Sequence, residues 1–257
     1  MNLEEFDLII INTSGGKDSQ TSLDVVANLA KRQGVLDRVI AAHAILEEEW
    51  KGTLELVEEQ CGRYGVQLHV MQRPQGTLLD QVKERKMWPS NKARFCTSDH
   101  KRGQIDKIIT GESNRLGKKH VKVLNCMGLR AMESRARSKK NSFELDKRRS
   151  NGKRTVYTWL PIFEWSTEQV WANIKASGVR YHWAYDLGMP RLSCCFCIFA
   201  GRDALLLAGH HNKGLLEKYV AVEKEIGHTF RKELPIINIL DAVNAGEQPG
   251  PIKTWEM

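Results

Sequence analysis

The chain has 257 residues, 41% of them apolar and 27% charged, a composition that supports one or two folded domains and excludes a wholly disordered chain. No run approaches the roughly 18 consecutive apolar residues of a membrane helix. Lys and Arg number 39 against 31 acids, a net +8, which favours an anionic partner such as a nucleotide, a sulfate or a nucleic acid.

The opening MNLEEFDLII is acidic and leads straight into a strand-like run. It lacks the basic start of a secretory signal, so a cytoplasmic location with no membrane contact is expected. Leu8 to Ile11 are continuously apolar, the pattern of a strand buried on both faces. A loop, Asn12 to Ser19, precedes a helix with Leu23, Val26, Ala27 and Ala30 on one face, stopping near Gly34. Val39–Ile45 reads as a second strand, Thr53–Tyr64 as a helix ended by Gly65, and Val66–Met71 as a third strand. This alternation predicts a parallel α/β sheet with right-handed crossovers.

Helices are predicted at Leu78–Lys86 and Lys101–Leu116, and a short strand at Val121–Asn125. From Arg135 to Arg154 nine cations face two acids with few large apolar residues, which predicts a mobile basic loop over 135–154. Order resumes at Thr155–Ile162. Ser166 reads as the N-cap of a helix through Ala176, and Leu215–Ile226 as a helix in a helical C-terminal region. The predicted division is 1–190 for a nucleotide domain and 191–257 for a cysteine-containing helical region.

Ser14-Gly15-Gly16-Lys17-Asp18-Ser19 is the sharpest chemical signal. Two adjacent glycines between a strand and a helix let the backbone approach an anion. The helix start offers free N–H groups and a partial positive charge. Ser14 and Ser19 add hydroxyls, Lys17 a cation, and Asp18 a ligand for Mg²⁺. The plainer reading is an ordinary strand-to-helix turn.

SGGKDS after a buried strand resembles the pyrophosphate loop of the PP-loop ATP pyrophosphatase superfamily. Within it, the chain resembles the phosphoadenosine phosphosulfate reductase family. Four further segments carry the likeness: Glu49-Trp50-Lys51-Gly52-Thr53; Cys96-Thr97 with Lys101; Gly128-Leu129-Arg130 with Glu133-Ser134 and Arg137; and Pro161 to Ser166 with Trp171. The resemblance implies a Rossmann-like, adenine nucleotide α-hydrolase-like core that binds ATP. Ser14 to Ser19 would hold the phosphates, and Lys101, Arg130 and Arg137 would reach anionic oxygens. His43 ends the second strand, where the family's adenine contacts fall; a core histidine fits equally.

Cys194-Cys195-Phe196-Cys197 is the second signal. Adenylylsulfate reductases with an iron–sulfur cluster resemble this segment, which implies a 4Fe–4S cluster on Cys194, Cys197 and Cys96. Their paired-cysteine segment has Phe95 here in place of the first cysteine. Cys126 is the first candidate for the fourth ligand and Cys195 the second. Buried core thiols are the plain alternative, and Cys61 on the second helix is read that way.

The family's thiol reductases carry a catalytic cysteine near the C-terminus, whereas no cysteine follows Cys197 in this sequence. The chain therefore resembles more closely the ATP pyrophosphatase component of DNA phosphorothioation systems. That implies ATP and DNA as substrates, a cysteine desulfurase or other sulfur donor protein as partner, and room for a homodimer. A sulfonucleotide reductase and a non-catalytic nucleotide-binding iron–sulfur accessory protein are the alternatives.

Overall fold

A computed structural model describes residues 1–253. In chain order its elements are β1 (Leu8–Thr13), α1 (Lys17–Arg32), β2 (Val39–Ala44), α2 (Thr53–Tyr64), β3 (Gln67–Met71), α3 (Leu78–Arg85), the single turn α4 (Phe95–Thr97), and α5 (Gly103–Arg115). They continue with β4 (Val121–Met127), the short α6 (Arg135–Ser138), β5 (Phe143–Leu145), β6 (Arg154–Trp159), α7 (Thr167–Ser177), α8 (Arg202–His211), α9 (Lys213–Ile226) and α10 (Ile236–Asn244).

The described chain forms two compact units. A sheet unit takes Met1–Ala44, Gly52–Met71 and Arg102–His182; a helical unit takes Ile45–Lys51, Gln72–Lys101 and the described chain from Trp183 on. The single boundary predicted at 190 therefore gives way to three excursions. The segments after β2 and β3 carry Trp50, Leu78, Leu79, Val82, Trp88 and Phe95, which pack with Tyr219, Phe230 and Ile239. Apolar burial, not sequence position, draws the border.

The sheet runs in the order β3-β2-β1-β4-β6-β5, all parallel except β5, which is antiparallel to β6. β1 is central, and its side chains divide between two cores. Ile9 and Ile11 pack with Leu23, Val26, Ala27 and Val57 of α1 and α2. Leu8 and Ile10 pack with Ile105, Ile108 and Ile109 of α5. A period of two with helices on both faces explains the continuous apolar run. Each such buried side chain contributes about 1.5–3 kcal/mol.

Two expectations change. The predicted helix from Lys101 is regular only from Gly103, after a wider π-helical stretch over Ser98–Arg102. The basic segment 135–154 is ordered rather than a mobile loop: β5 pairs Phe143 with Trp159 and Leu145 with Tyr157. Asp106 on α5 accepts from Arg148 Nη1 and from Arg149 Nε, both at 2.6 Å, and Asp146 accepts from Arg149 Nη1 at 2.6 Å. Counting acids within the segment misses Asp106, which comes from far earlier in the chain.

Candidate functional site

The sheet unit carries the phosphate loop at the end of β1. Gly15 adopts φ +69°, which a side chain would resist, and Gly16 is the extended residue preceding α1. The N-cap residue Gly16 has no side chain with which to cap α1, and the positive end of a 16-residue helix favours an anion there. The serines knit the loop instead. Ser19 Oγ donates to the Gly16 carbonyl at 2.9 Å and accepts from the Ser14 N–H at 3.2 Å. Ser14 Oγ lies 3.1 Å from Ser19 Oγ.

Asp18 is held between two cations. Its Oδ1 accepts from Arg130 Nε at 2.6 Å, and its Oδ2 lies 3.2 Å from Lys17 Nζ. Arg130 is buried and also donates from Nη1 to the Trp165 carbonyl at 3.1 Å and the Thr167 hydroxyl at 3.3 Å. Its own N–H donates to Glu133 Oε2 at 2.8 Å, and Glu133 pairs with Arg137. Arg130 therefore braces the loop from behind, and Arg137 is tethered one helical turn on. A Mg²⁺ ion fits Asp18 by donor chemistry, provided the carboxylate exchanges one ion-pair partner for it.

Gly128 explains why the loop and the strand after it come as a set. A Cβ built there would lie 2.4 Å from the Asp18 carbonyl oxygen and 2.9 Å from the Ser19 nitrogen. The end of β4 thus passes directly beneath the start of α1, and only glycine fits. His43 is buried, its Nδ1 3.1 Å from the Thr13 carbonyl. It ties the ends of β1 and β2 together.

The helical unit holds Cys96, Cys194 and Cys197 together with Lys101. Burial pushes the Cys194 thiol up to about 12, with Lys101 opposing and Cys197 and Glu48 adding to the rise. Burial likewise raises Cys96, with Cys197 as a further cause. Cys194 acts first in holding Lys101 above its ordinary range, outweighing burial, with help from Glu49, Cys197 and Cys96. Lys101 is thus placed among thiols. Glu48 belongs to the same neighbourhood. It is 1% exposed, neither carboxylate oxygen has a partner on another residue, and burial raises it to about 7. Its carbonyl accepts the Cys195 N–H at 2.7 Å, tying this segment to the cysteine loop.

The two fourth-ligand candidates, Cys126 and Cys195, each stand in an apolar setting of their own unit. Cys126 lies on β4 of the sheet unit, fully buried in the core with Leu23, Val26 and Leu124, and burial alone drives its thiol upward. Strand alternation turns it into an apolar face, which the sequence position before Gly128 could not reveal. Cys195 points into the apolar core of the helical unit. Three thiols suit iron–sulfur ligation by chemistry. Among the described residues, though, no three Cys, His, Asp or Glu side chains stand in a closed metal-holding arrangement.

Residues 8–200 match the phosphoadenosine phosphosulfate reductase domain. The chain belongs to this family. An uncharacterised 37.8 kDa protein of Escherichia phage 186 is 29% identical over 75% of this chain and 59% of its own length. An adenosine 5'-phosphosulfate reductase of Staphylococcus saprophyticus is 21% identical over 74% of this chain and 71% of its own. The chain spans 48% and 36% of two Methanocaldococcus jannaschii proteins that it also matches, so several curated relatives are much longer. The crystal structure of a phosphoadenylyl-sulfate reductase from Candida auris, in complex with phosphate, shares the fold at TM-score 0.52 and 19% identity, over 75% of this chain and 83% of that one. The family's fold is a PP-loop nucleotide-binding core, and its sheet is the one described above.

Sequence reasoning had no means of finding Glu133 as the tether of Arg130 and Arg137, or Glu48 as a buried acid among thiols. Both depend on which side chains the fold brings together. No helix among the described residues is long and apolar enough to cross a membrane.

Proposed function

We propose that the chain is an ATP pyrophosphatase that adenylates a phosphate oxygen of DNA and so prepares that oxygen for replacement by sulfur. One observation carries the reading: a helix start capped by glycine, two loop glycines and the Lys17–Asp18–Arg130 set converge in the sheet unit. The N–H groups of the loop would hold the β- and γ-phosphates. A non-bridging oxygen of the acceptor phosphate attacks the α-phosphorus, the α–β phosphoanhydride bond breaks, and pyrophosphate leaves with the bonding pair. Lys17 and the positive end of α1 meet the charge that grows on the leaving group. Mg²⁺, when bound at Asp18, supplies further neutralisation. The outer sulfur of a persulfide on a cysteine desulfurase or another donor protein then attacks the phosphorus of the adenylated acceptor phosphate and expels AMP, and a dithiol reductant cleaves the resulting S–S bond, leaving the phosphorothioate and the carrier thiol while itself becoming a disulfide. Cys96, Cys194 and Cys197 are the chain's candidate ligands for an iron–sulfur cluster.

The test is anaerobic purification followed by incubation with ATP, Mg²⁺ and DNA. Pyrophosphate release that disappears in Lys17→Ala and Asp18→Ala is expected; no pyrophosphate from the parent protein overturns the reading. A second reading, reduction of a sulfonucleotide, is favoured by the 21% identity to the Staphylococcus protein. Sulfite formed from adenosine 5'-phosphosulfate and a thiol, with no pyrophosphate from ATP, selects it.

A further inference from the structure

The segment that leaves the phosphate site carries an unusual surface. Met132, Phe143 and Leu145 are large apolar side chains exposed at 59%, 42% and 44%. Interleaved with them are exposed Arg135, Lys139, Lys140 and Lys147. The cations of this segment fall into two classes. Arg137 is committed to Glu133, and Arg148 and Arg149 to Asp106. Among the described residues, no acid pairs with Arg135, Lys139, Lys140 or Lys147. One face of the Phe143 ring is stacked on Tyr157, with centroids 5.3 Å apart and planes 2° from parallel. Its exposure falls on the rest of the ring. An exposed aromatic ring on a segment that also carries spare cations is the combination that single-stranded nucleic acid takes up: bases stack on the ring and phosphates meet the lysines.

Position argues the same way. Phe143 is opposite Trp159, Trp159 opposite Cys126, and Cys126 opposite Ile11, two residues before the end of β1, where the phosphate loop begins. Phe143 therefore lies at the nucleotide end of the sheet, three strands from β1. At about 4.8 Å per strand that is about 14 Å, or about four nucleotides at the ~3.4 Å spacing along one strand. The chain between, from Arg137 through Lys139 and Lys140, crosses the interval. A sulfate or a mononucleotide held at the loop has no use for a second binding surface that far away. A polynucleotide does.

Resting on the adenylation reading above, we infer that the acceptor is a polynucleotide with an unstacked base near the reacting phosphate, and that this base stacks on Phe143 while Lys139, Lys140 and Lys147 hold the flanking phosphates. Lysines on an edge strand also discourage edge-to-edge pairing, but that role asks for no exposed aromatic ring and makes no demand on nucleic acid.

The experiment measures binding of a labelled single-stranded oligodeoxynucleotide and its duplex by anisotropy over a range of salt. Phe143→Ala should weaken single-strand binding about tenfold with an unchanged salt slope, because stacking is uncharged. Phe143→Tyr should retain affinity, which separates loss of the ring face from loss of the fold. Lys139→Gln, Lys140→Gln and Lys147→Gln together should flatten the salt slope by about 0.7 for each phosphate that is no longer neutralised. If Phe143→Ala binds like the parent while the parent still releases pyrophosphate with DNA, this inference fails and the adenylation reading stands. If the parent binds no oligonucleotide, yet releases pyrophosphate from ATP with another acceptor, the DNA part of that reading fails with it. Tighter binding of duplex than of single strand also overturns the unstacked base.

Discussion

The phosphate site in the sheet unit and the thiol site in the helical unit solve the problem of buried charge in opposite ways. Around the loop every charge has a partner: Asp18 sits between Lys17 and Arg130, and Arg137 is held by Glu133. The charges are thus paired before any ligand arrives, and on the proposed reading an incoming polyphosphate would exchange one set of ion pairs for another. In the helical unit the thiols of Cys96, Cys194 and Cys195 are forced towards their neutral form, and a buried carboxyl has no partner on another residue. Unpartnered buried polar groups cost about 1–3 kcal/mol each. The thiol region therefore carries a stability cost that the paired charges around the loop do not.

The sharpest way to break this contrast is at Gly128. Gly128→Ala places a methyl group against the Asp18 carbonyl, so either the loop or the end of β4 must shift. Pyrophosphate release should fall about 100-fold or more, equivalent to about 2.7 kcal/mol or more, measured as kcat/KM for ATP. Activity within a few-fold of the parent would show that the loop tolerates displacement and is not preorganised.

A second comparison sets cysteine against cysteine. Cys194→Ser and Cys197→Ser should abolish iron incorporation in anaerobically prepared protein. Cys126→Ser should keep the iron but lose roughly 1–3 kcal/mol of stability, because a hydroxyl would be buried without a partner among Leu23, Val26 and Leu124. Iron analysis and denaturant unfolding read the two effects separately. Loss of iron in Cys126→Ser would return this strand cysteine to the ligand set.

The smallest effect expected is a pH dependence in the helical unit. His100 is buried, with Nε2 2.9 Å from Gln81 Oε1, and burial, then Arg73, lowers it to about 4. The folded state therefore stays neutral at His100 while the unfolded chain takes up a proton below its ordinary value of 6.5. The unfolded state binds more protons between pH 6.5 and 4, so this contribution to stability is complete above 6.5 and is lost as pH falls through that window. His100→Gln should remove this acid sensitivity, seen as a flatter plot of unfolding free energy against pH from about 7 to about 4. An equally steep plot for the variant would place the acid-sensitive group elsewhere.

The sequence by itself determined the sheet unit's alternation, because Leu8 to Ile11 can be satisfied only between two helical layers, and because Gly65 closes α2 in the left-handed conformation that favours glycine. It also determined the phosphate loop, whose backbone requirements are local and written in adjacent residues. What it left open required partners distant in the chain. The basic segment became an ordered turn and edge strand because Asp106 neutralises Arg148 and Arg149. Cys126 is turned by its strand register into the apolar core of the sheet unit. Lys101 gained thiols as neighbours, and the units came to be assembled from interleaved segments. Local signals fix φ, ψ and periodicity, whereas ion pairs, burial and convergence of side chains depend on which surfaces the folded chain brings together, and that is decided only when the cores close.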